Sequence, residues 1–186
     1  MKILGLYTHL NSVHVCISTG EQFLYEEKFT FEERSLSTQL PVLLKEIGDK
    51  NQLNCIALQN GPDAFTSLRV TLAFVQGLCT GWGIPVYVCS HFELLKNAYH
   101  IQNGIIIIQN KAALLPAVQV KDGVLMLPIQ LPAKDSDTTC LRPNENDGVN
   151  LGKVLCEMAM QNQSDWIKAL DLAPNYCFVP SYKKIK

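Results

Sequence analysis

The 186-residue sequence contains seven cysteines (Cys16, Cys55, Cys79, Cys89, Cys140, Cys156, Cys177) but no CxxC pair. Their odd number, wide spacing and mostly apolar neighbours argue against a disulfide framework or a zinc ribbon and predict reduced, buried thiols. No apolar run approaches the ~20 residues needed to cross a bilayer. Met1-Lys2-Ile3-Leu4 leads directly into strand-like sequence instead of a signal peptide, so a soluble, cytoplasmic protein is expected. Net charge is also lacking: a formal −1 gives no global attraction for nucleic acid. The one basic cluster, Lys183, Lys184 and Lys186, falls on a terminal tail and reads as solvated. There is no G-x-x-x-x-G-K-[ST] and no G-x-S-x-G elbow. His9 and His14 are five apart, His91 and His100 nine apart, and no carboxylate stands at ligand spacing from them. No metal, cofactor or catalytic constellation is expected.

What is present is a regular alternation of elements. Residues 2–7 and 12–18 read as strands, the second alternating Val13, Val15 and Ile17 with Ser12, His14 and Ser18, which predicts an outward-facing His14. A third strand, 22–29, completes a meander. Leu36, Leu40, Leu43, Leu44 and Ile47 then fall on one helical face, with Gly48 as a stop. Pro41 is at odds with that pattern, because an interior proline costs about 3 kcal/mol. It predicts either a start near Thr38 or a kink. A strand (53–60), a loop, a helix (65–80) and a strand (85–89) follow. Ser90 and Glu93 have capping-box spacing at the head of a further helix to about Tyr99. A second three-strand rhythm begins at 104–109, 114–120 and 124–129, with Lys121-Asp122-Gly123 as a hairpin turn. Residues 130–148 read as an irregular connection, and helical pattern returns at 149–161 and 164–170.

The order β-β-β-α-β-α-β-α followed by a second β-β-β predicts an α/β fold: two ribonuclease H-like lobes of the actin-like ATPase (ASKHA) plan, the second reduced. The lobes are expected at residues 1–102 and 103–186, the latter with a returning tail. Within this order, residues 61–69, GPDAFTSLR, resemble the GPGSFTGLR signature of the TsaB (YeaZ) family. The matching positions are Gly61, Pro62, Phe65, Thr66, Leu68 and Arg69. The likeness continues through Gly83-Ile84-Pro85-Val86 into VCSHFELL (88–95), which resembles the family's I-P-V-x-G-V-S-S-L-E-A-L. STQLPVLLKEI (37–47) and Pro180-Ser181-Tyr182-Lys183 are also similar to family segments, whereas 130–175 do not align.

The resemblance implies a non-catalytic subunit for threonylcarbamoylation of the tRNA adenosine next to the anticodon. In that family it works by binding and activating TsaD, a homologue of the same fold. It also implies a TsaE-like ATPase as a further partner, a homodimer in isolation, and only indirect contact with tRNA. The alternatives are an ATP-dependent kinase or hydrolase of the actin-like superfamily, or a self-pairing paralogue with no TsaD role.

The residues speak against nucleotide turnover. The fold positions Mg²⁺ with an acidic residue at the end of each lobe's first strand, and here those places hold Tyr7 and Gln109. Asp63, where the family has glycine, would repel a phosphate at the helix N-terminus and reads as a helix-entry residue. On the helix behind it, Phe65, Leu68, Leu72, Val75 and Cys79 form a core face. The opposite side is a small-residue ribbon of Arg69, Ala73 and Gly77, with Gln76 and Thr80 beside it. Such a ribbon admits a second helix at close range, either from this chain or from a partner. The resemblance assigns Arg69, Ala73, Gln76, Gly77 and Thr80 to the partner interface, with Arg69 bonding loop carbonyls or the partner.

Overall fold

The computed structural model describes residues 1–32, 35–47, 53–108, 114–132, 140–141 and 148–177. Gly48, Gln109, the Pro180–Lys183 motif, the lysine tail and most of 130–148 lie outside them.

The first sheet is built from β1 (Ile3–His9), β2 (Ser12–Ser18), β3 (Phe23–Thr30), β4 (Cys55–Gln59) and β5 (Val86–Cys89), in the order β3-β2-β1-β4-β5. β1 to β3 are an antiparallel meander, while β4 and β5 run parallel to β1. Three helices connect and follow these strands: α1 (Leu36–Ile47), α2 (Phe65–Trp82) and α3 (His91–Ala98). The second sheet contains β6 (Gly104–Ile107), β7 (Leu114–Lys121), β8 (Val124–Leu125), β9 (Ile129–Pro132) and β10 (Cys140–Leu141). Its order is β10-β6-β7-β8, with β9 also on β7. The chain closes with α4 (Leu151–Gln161) and two short 3₁₀ turns at 163–165 and 169–171. No helix of the described residues is long and apolar enough to cross a membrane.

Local signals work as the sequence predicts at several ends. Ser90 Oγ accepts from the Glu93 amide at 3.1 Å, capping α3. Gly83, at φ 69°, ends α2 in the left-handed region open to glycine. The Asp122-Gly123 turn has positive φ at both residues, as a tight hairpin requires. One expectation is narrowed and two need correction. Of the two alternatives for α1, the start near Thr38 is excluded: the helix begins at Leu36 and carries exposed Pro41 in its second turn, where the apolar face of Leu36, Leu40, Leu43 and Leu44 outweighs the lost backbone bond. The run 124–129 breaks after Leu125, and its end pairs separately with β7 as β9. His14 is buried, not outward.

The burial of His14 traces to α4, which lies across β1 and β2 and turns a half-solvated sheet face into core. The two elements meet glycine to glycine: a Cβ added at Gly5 would stand 1.9 Å from Gly152 O and 2.9 Å from Cys156 Sγ. Under the helix, Ser12, His14 and Ser18 are buried and must be satisfied there. His14 Nδ1 accepts from the Leu151 amide at 3.2 Å, and its Nε2 lies 3.2 Å from Ser12 Oγ. Asn150 caps α4 through Oδ1 to the Lys153 amide while its Nδ2 donates to Val15 O and Glu27 O. The opposite sheet face packs Leu4, Leu6, Val13, Val15, Ile56 and Leu58 against α1 and α2. Cys16, Cys55, Cys79, Cys89 and Cys156 are buried and unpaired, and burial pushes the Cys55 and Cys79 thiols up to about 12. Such thiols serve packing, not nucleophilic chemistry.

Because the atom facing Gly5 is a backbone oxygen, it cannot move aside by changing rotamer. Gly5→Ala is expected to lower unfolding free energy by about 1–3 kcal/mol or more, measured by urea denaturation. Gly77→Ala, on open surface, should instead raise it by up to about 1 kcal/mol.

Candidate functional site

In an open sheet with parallel strands, side chains able to meet a ligand gather beyond the strands' carboxyl ends. Here β1, β4 and β5 run parallel and each delivers one residue to that edge. His9 is the last residue of β1, Asp63 lies in the loop after β4, and His91 opens α3 two residues after β5. His9 Nδ1 is 2.5 Å from Asp63 Oδ1, and His91 Nδ1 is 3.7 Å from Asp63 Oδ2. One ligand-capable atom from each of the three lies within 4.8 Å of the others.

Each member is held by neighbours. The Asp63 carboxylate is fully buried and accepts from Gln59 Nε2 at 2.7 Å and from the Ala64 amide. Gln59, itself buried, also donates to Thr8 O at 3.2 Å and accepts from the Gly61 amide. His91 Nδ1 donates to Pro62 O at 3.0 Å, and Nε2 lies 3.1 Å from the buried Tyr7 hydroxyl. That pairing makes Nδ1 the protonated nitrogen of a neutral ring, with Tyr7 donating to Nε2. Burial pushes the His91 pKa down to about 4 and outweighs the attraction of Asp63, so the 3.7 Å contact is not an ion pair at neutral pH. His9 keeps 18 % of its side chain exposed and is where the cluster meets solvent.

The sequence reading expected no metal-ligand grouping, and this is the grouping it missed. Spacing along the chain could not reveal it, since the residues come from three separate segments, one at the β1–β2 hairpin and two after parallel strands. The available signal was that each polar residue follows a buried parallel strand at its carboxyl end. Asp63 stands at the helix entry as expected, its carboxylate accepting from the Ala64 amide, and it does more than that. The N-cap position of α2 is Ala64, without a side-chain cap bond, and the Asp63 carboxylate turns to His9 and Gln59.

The residues assigned from the signature lie next door. Gly61, at φ 112° and in a cis bond to Pro62, leaves no room for a side chain: an added Cβ would lie 2.4 Å from Asn175 O. Leu68 is buried in the core, Thr66 is exposed, and Phe65 stacks on Tyr176 with ring centroids 5.3 Å apart. Arg69 is exposed in the second turn of α2. Its Nε donates to Tyr176 Oη at 2.7 Å and its guanidinium lies 3.8 Å over the Phe65 ring. Ala73, Gly77 and Thr80 are exposed and Gln76 is half-buried. A Cβ added at Gly77 meets nothing within 4 Å, so α1 does not fill this side of α2.

Comparison with known proteins places this geometry in context. A family model described as "TsaD: tRNA N6-adenosine threonylcarbamoyltransferase" matches residues 33–115, from α1 past β6. Among solved structures, "YeaZ from Pseudomonas aeruginosa" is similar over 94 % of this chain and 99 % of its own, at 19 % identity and TM-score 0.66. A second structure is titled "an uncharacterized protein with similarity to peptidase YEAZ from Pseudomonas aeruginosa". It matches over 95 % and 99 % at 18 % identity and TM-score 0.68. The resemblance to the TsaB (YeaZ) family drawn from the sequence therefore stands. The fold is the expected α/β class, two five-stranded sheets with their helices, and is shared with YeaZ.

Tyr7→Phe removes the donor facing a buried imidazole nitrogen. It is expected to cost about 1–3 kcal/mol of stability, read by urea denaturation, whereas His9→Gln at the solvent edge should cost less.

Proposed function

We propose that this chain is a non-catalytic TsaB-like subunit required for threonylcarbamoylation of the tRNA adenosine next to the anticodon, acting by binding and activating a TsaD-like homologue. The observation that carries this reading is the open small-residue side of α2, on a chain with the YeaZ fold over nearly its whole length. A helix face built for solvent alone has no use for a mid-helix Gly77, which costs on the order of 1 kcal/mol against alanine. A partner helix that must approach closely does. The exposed faces of α1, including Val42 at 52 % exposure, and of α2 at Ala73, Gln76, Gly77 and Thr80 form the contact surface. Arg69, braced by Phe65 and Tyr176, borders it.

Residues 1–102 act in this reading as the docking lobe and 103–186 as the reduced lobe with its returning tail. The same surface pairs two copies of the chain when the homologue is absent. A TsaE-like ATPase joins the assembly, and tRNA is met only through the partner. The absence of chemistry in this subunit is supported by Tyr7, which stands buried and hydrogen-bonded where a Mg²⁺-positioning carboxylate is needed.

Co-purification with the resident TsaD-like homologue tests the proposal. The unaltered chain is expected to co-elute with it, and Ala73→Trp or Gly77→Trp to abolish co-elution while leaving the circular dichroism melt unchanged. Pairing that survives both changes would move the interface elsewhere. Tight binding of Mg-ATP by the isolated chain in calorimetry would favour an enzyme.

A further inference from the structure

His9, Asp63 and His91 form a constellation that docking through α1 and α2 leaves unused. Two imidazole nitrogens and one carboxylate oxygen converge at the carboxyl edge of three parallel strands, and none of the three residues lies on the open side of α2. We propose that these side chains bind a divalent transition ion of the zinc class. His9 Nδ1, His91 Nδ1 and an Asp63 oxygen are the ligands, and a fourth position remains for water or a ligand oxygen.

The chemistry of the donors selects the class of ion. Two imidazoles with one carboxylate suit zinc and neighbouring first-row ions, whereas Mg²⁺ and Ca²⁺ require oxygen ligands almost throughout. The donor spacing is close to that of a tetrahedral site. Donors around tetrahedral zinc stand about 3.3 Å apart, given bonds of about 2.0–2.1 Å. His9 Nδ1 lies 2.5 Å from Asp63 Oδ1 and His91 Nδ1 lies 3.7 Å from Asp63 Oδ2, and with one donor atom taken from each residue no pair exceeds 4.8 Å. Adjustments of at most about 1.5 Å, reachable by χ rotation, therefore suffice. A cation bound between them replaces the direct His9–Asp63 contact.

The surroundings supply what a metal-binding histidine needs. With the ion on Nδ1, the imidazole proton resides on Nε2 and is donated to Tyr7 Oη, which now lies 3.1 Å away and can accept as readily as donate. The Pro62 carbonyl gives up its present bond in this switch of tautomer. Tyr7 thus orients His91 from the far side of the ring, as partners of metal-bound histidines commonly do. Gln59 holds Asp63 Oδ2 at 2.7 Å, and Oδ1, which accepts from the Ala64 amide, keeps a second lone pair for the ion. His9, at the surface, provides the entrance.

The test uses the full-length chain, stripped with a chelator and titrated with Zn²⁺ against a chromophoric competitor. One equivalent should bind. His9→Gln and Asp63→Asn should each weaken binding by more than the roughly 10–100-fold that loss of an orienting partner costs, and Tyr7→Phe should fall within that range. Co²⁺ substitution should give d–d bands without a thiolate charge-transfer band, and Mg²⁺ should not compete. Thermal melts of His9→Gln, the most exposed member, confirm that the fold is kept. Absence of binding, affinity unchanged in His9→Gln and Asp63→Asn, or a thiolate band from the cysteines would overturn the assignment. Either result leaves the docking proposal standing, since Ala73 and Gly77 are untouched.

Discussion

The seat of α4 on the first sheet is the constraint from which most of this structure follows. Gly5 and Gly152 let a helix backbone lie directly on the central strand, with Gly152's own potential Cβ only 2.9 Å from Gly5 O and His14 O. Closing that gap converts the second face of the sheet into core. The alternating polar residues of β2 must then find partners under the helix, which they do through Ser12, His14 and Asn150. Cys156 adds thiol contacts to Ile3 O and Cys16 O at 3.6 and 3.5 Å. With β1 packed on both faces, its carboxyl end is rigidly placed, and Tyr7 and His9 are carried there. A helix near the end of the chain thus fixes groups delivered by the first strand.

The same division of labour shapes α2. Its buried face, Leu68, Thr71, Leu72, Val75 and Cys79, is continuous with the sheet through apolar contacts and through Thr71, whose Oγ1 lies 2.8 Å from Thr8 Oγ1. Its N-terminal turn is clamped by the returning tail: Asn175 donates to Asn60 O, and Asn60 Nδ2 donates to Ala173 O. Tyr176 completes the clamp by stacking on Phe65 and receiving Arg69. What is left open is the part of the helix beyond that clamp, where Ala73, Gly77 and Thr80 present little bulk. A surface held firmly at one end and kept bare along its length meets a partner without first being ordered, which lowers the entropic cost of association.

Much of the fold was legible because its signals are local and periodic. The α2 core stripe, the Ser90 cap and the Asp122-Gly123 turn depend on residues within a few positions of one another. His14 was misread because alternation in a strand reports a half-buried sheet only if nothing distant covers the other face, and α4 lies more than a hundred residues away. Pro41 left two alternatives open for a related reason: intrinsic propensity is a small term beside the burial of Leu36, Leu40, Leu43 and Leu44. The small side of α2 could be read as a stripe, but not as an open one, until α1 had been placed. Least legible was the His9–Asp63–His91 grouping, whose members are brought together only by the parallel register of three strands.

Departures from the resembled signature sharpen that last point. Ser67 stands where the signature has glycine, and the structure absorbs it locally, its hydroxyl donating to Ala64 O at 3.0 Å within the first turn of α2. Asp63, also at a glycine of the signature, accepts from the nearby Ala64 amide and Gln59 Nε2 and in addition reaches His9, 54 residues away. Tyr7 stands in place of an aspartate, and His91 aligns with a serine; the two are hydrogen-bonded to each other, 84 residues apart. Three exchanges at separate places in the chain therefore meet in one cluster in which each polar atom's partner is another exchange or a residue beside it. Unrelated replacements at a buried edge would leave unsatisfied groups costing about 1–3 kcal/mol each, yet among the described residues every buried side-chain nitrogen and oxygen has a partner. Tyr7 and His91 are thus coupled physically: exchanging either one alone removes the side-chain partner of the other.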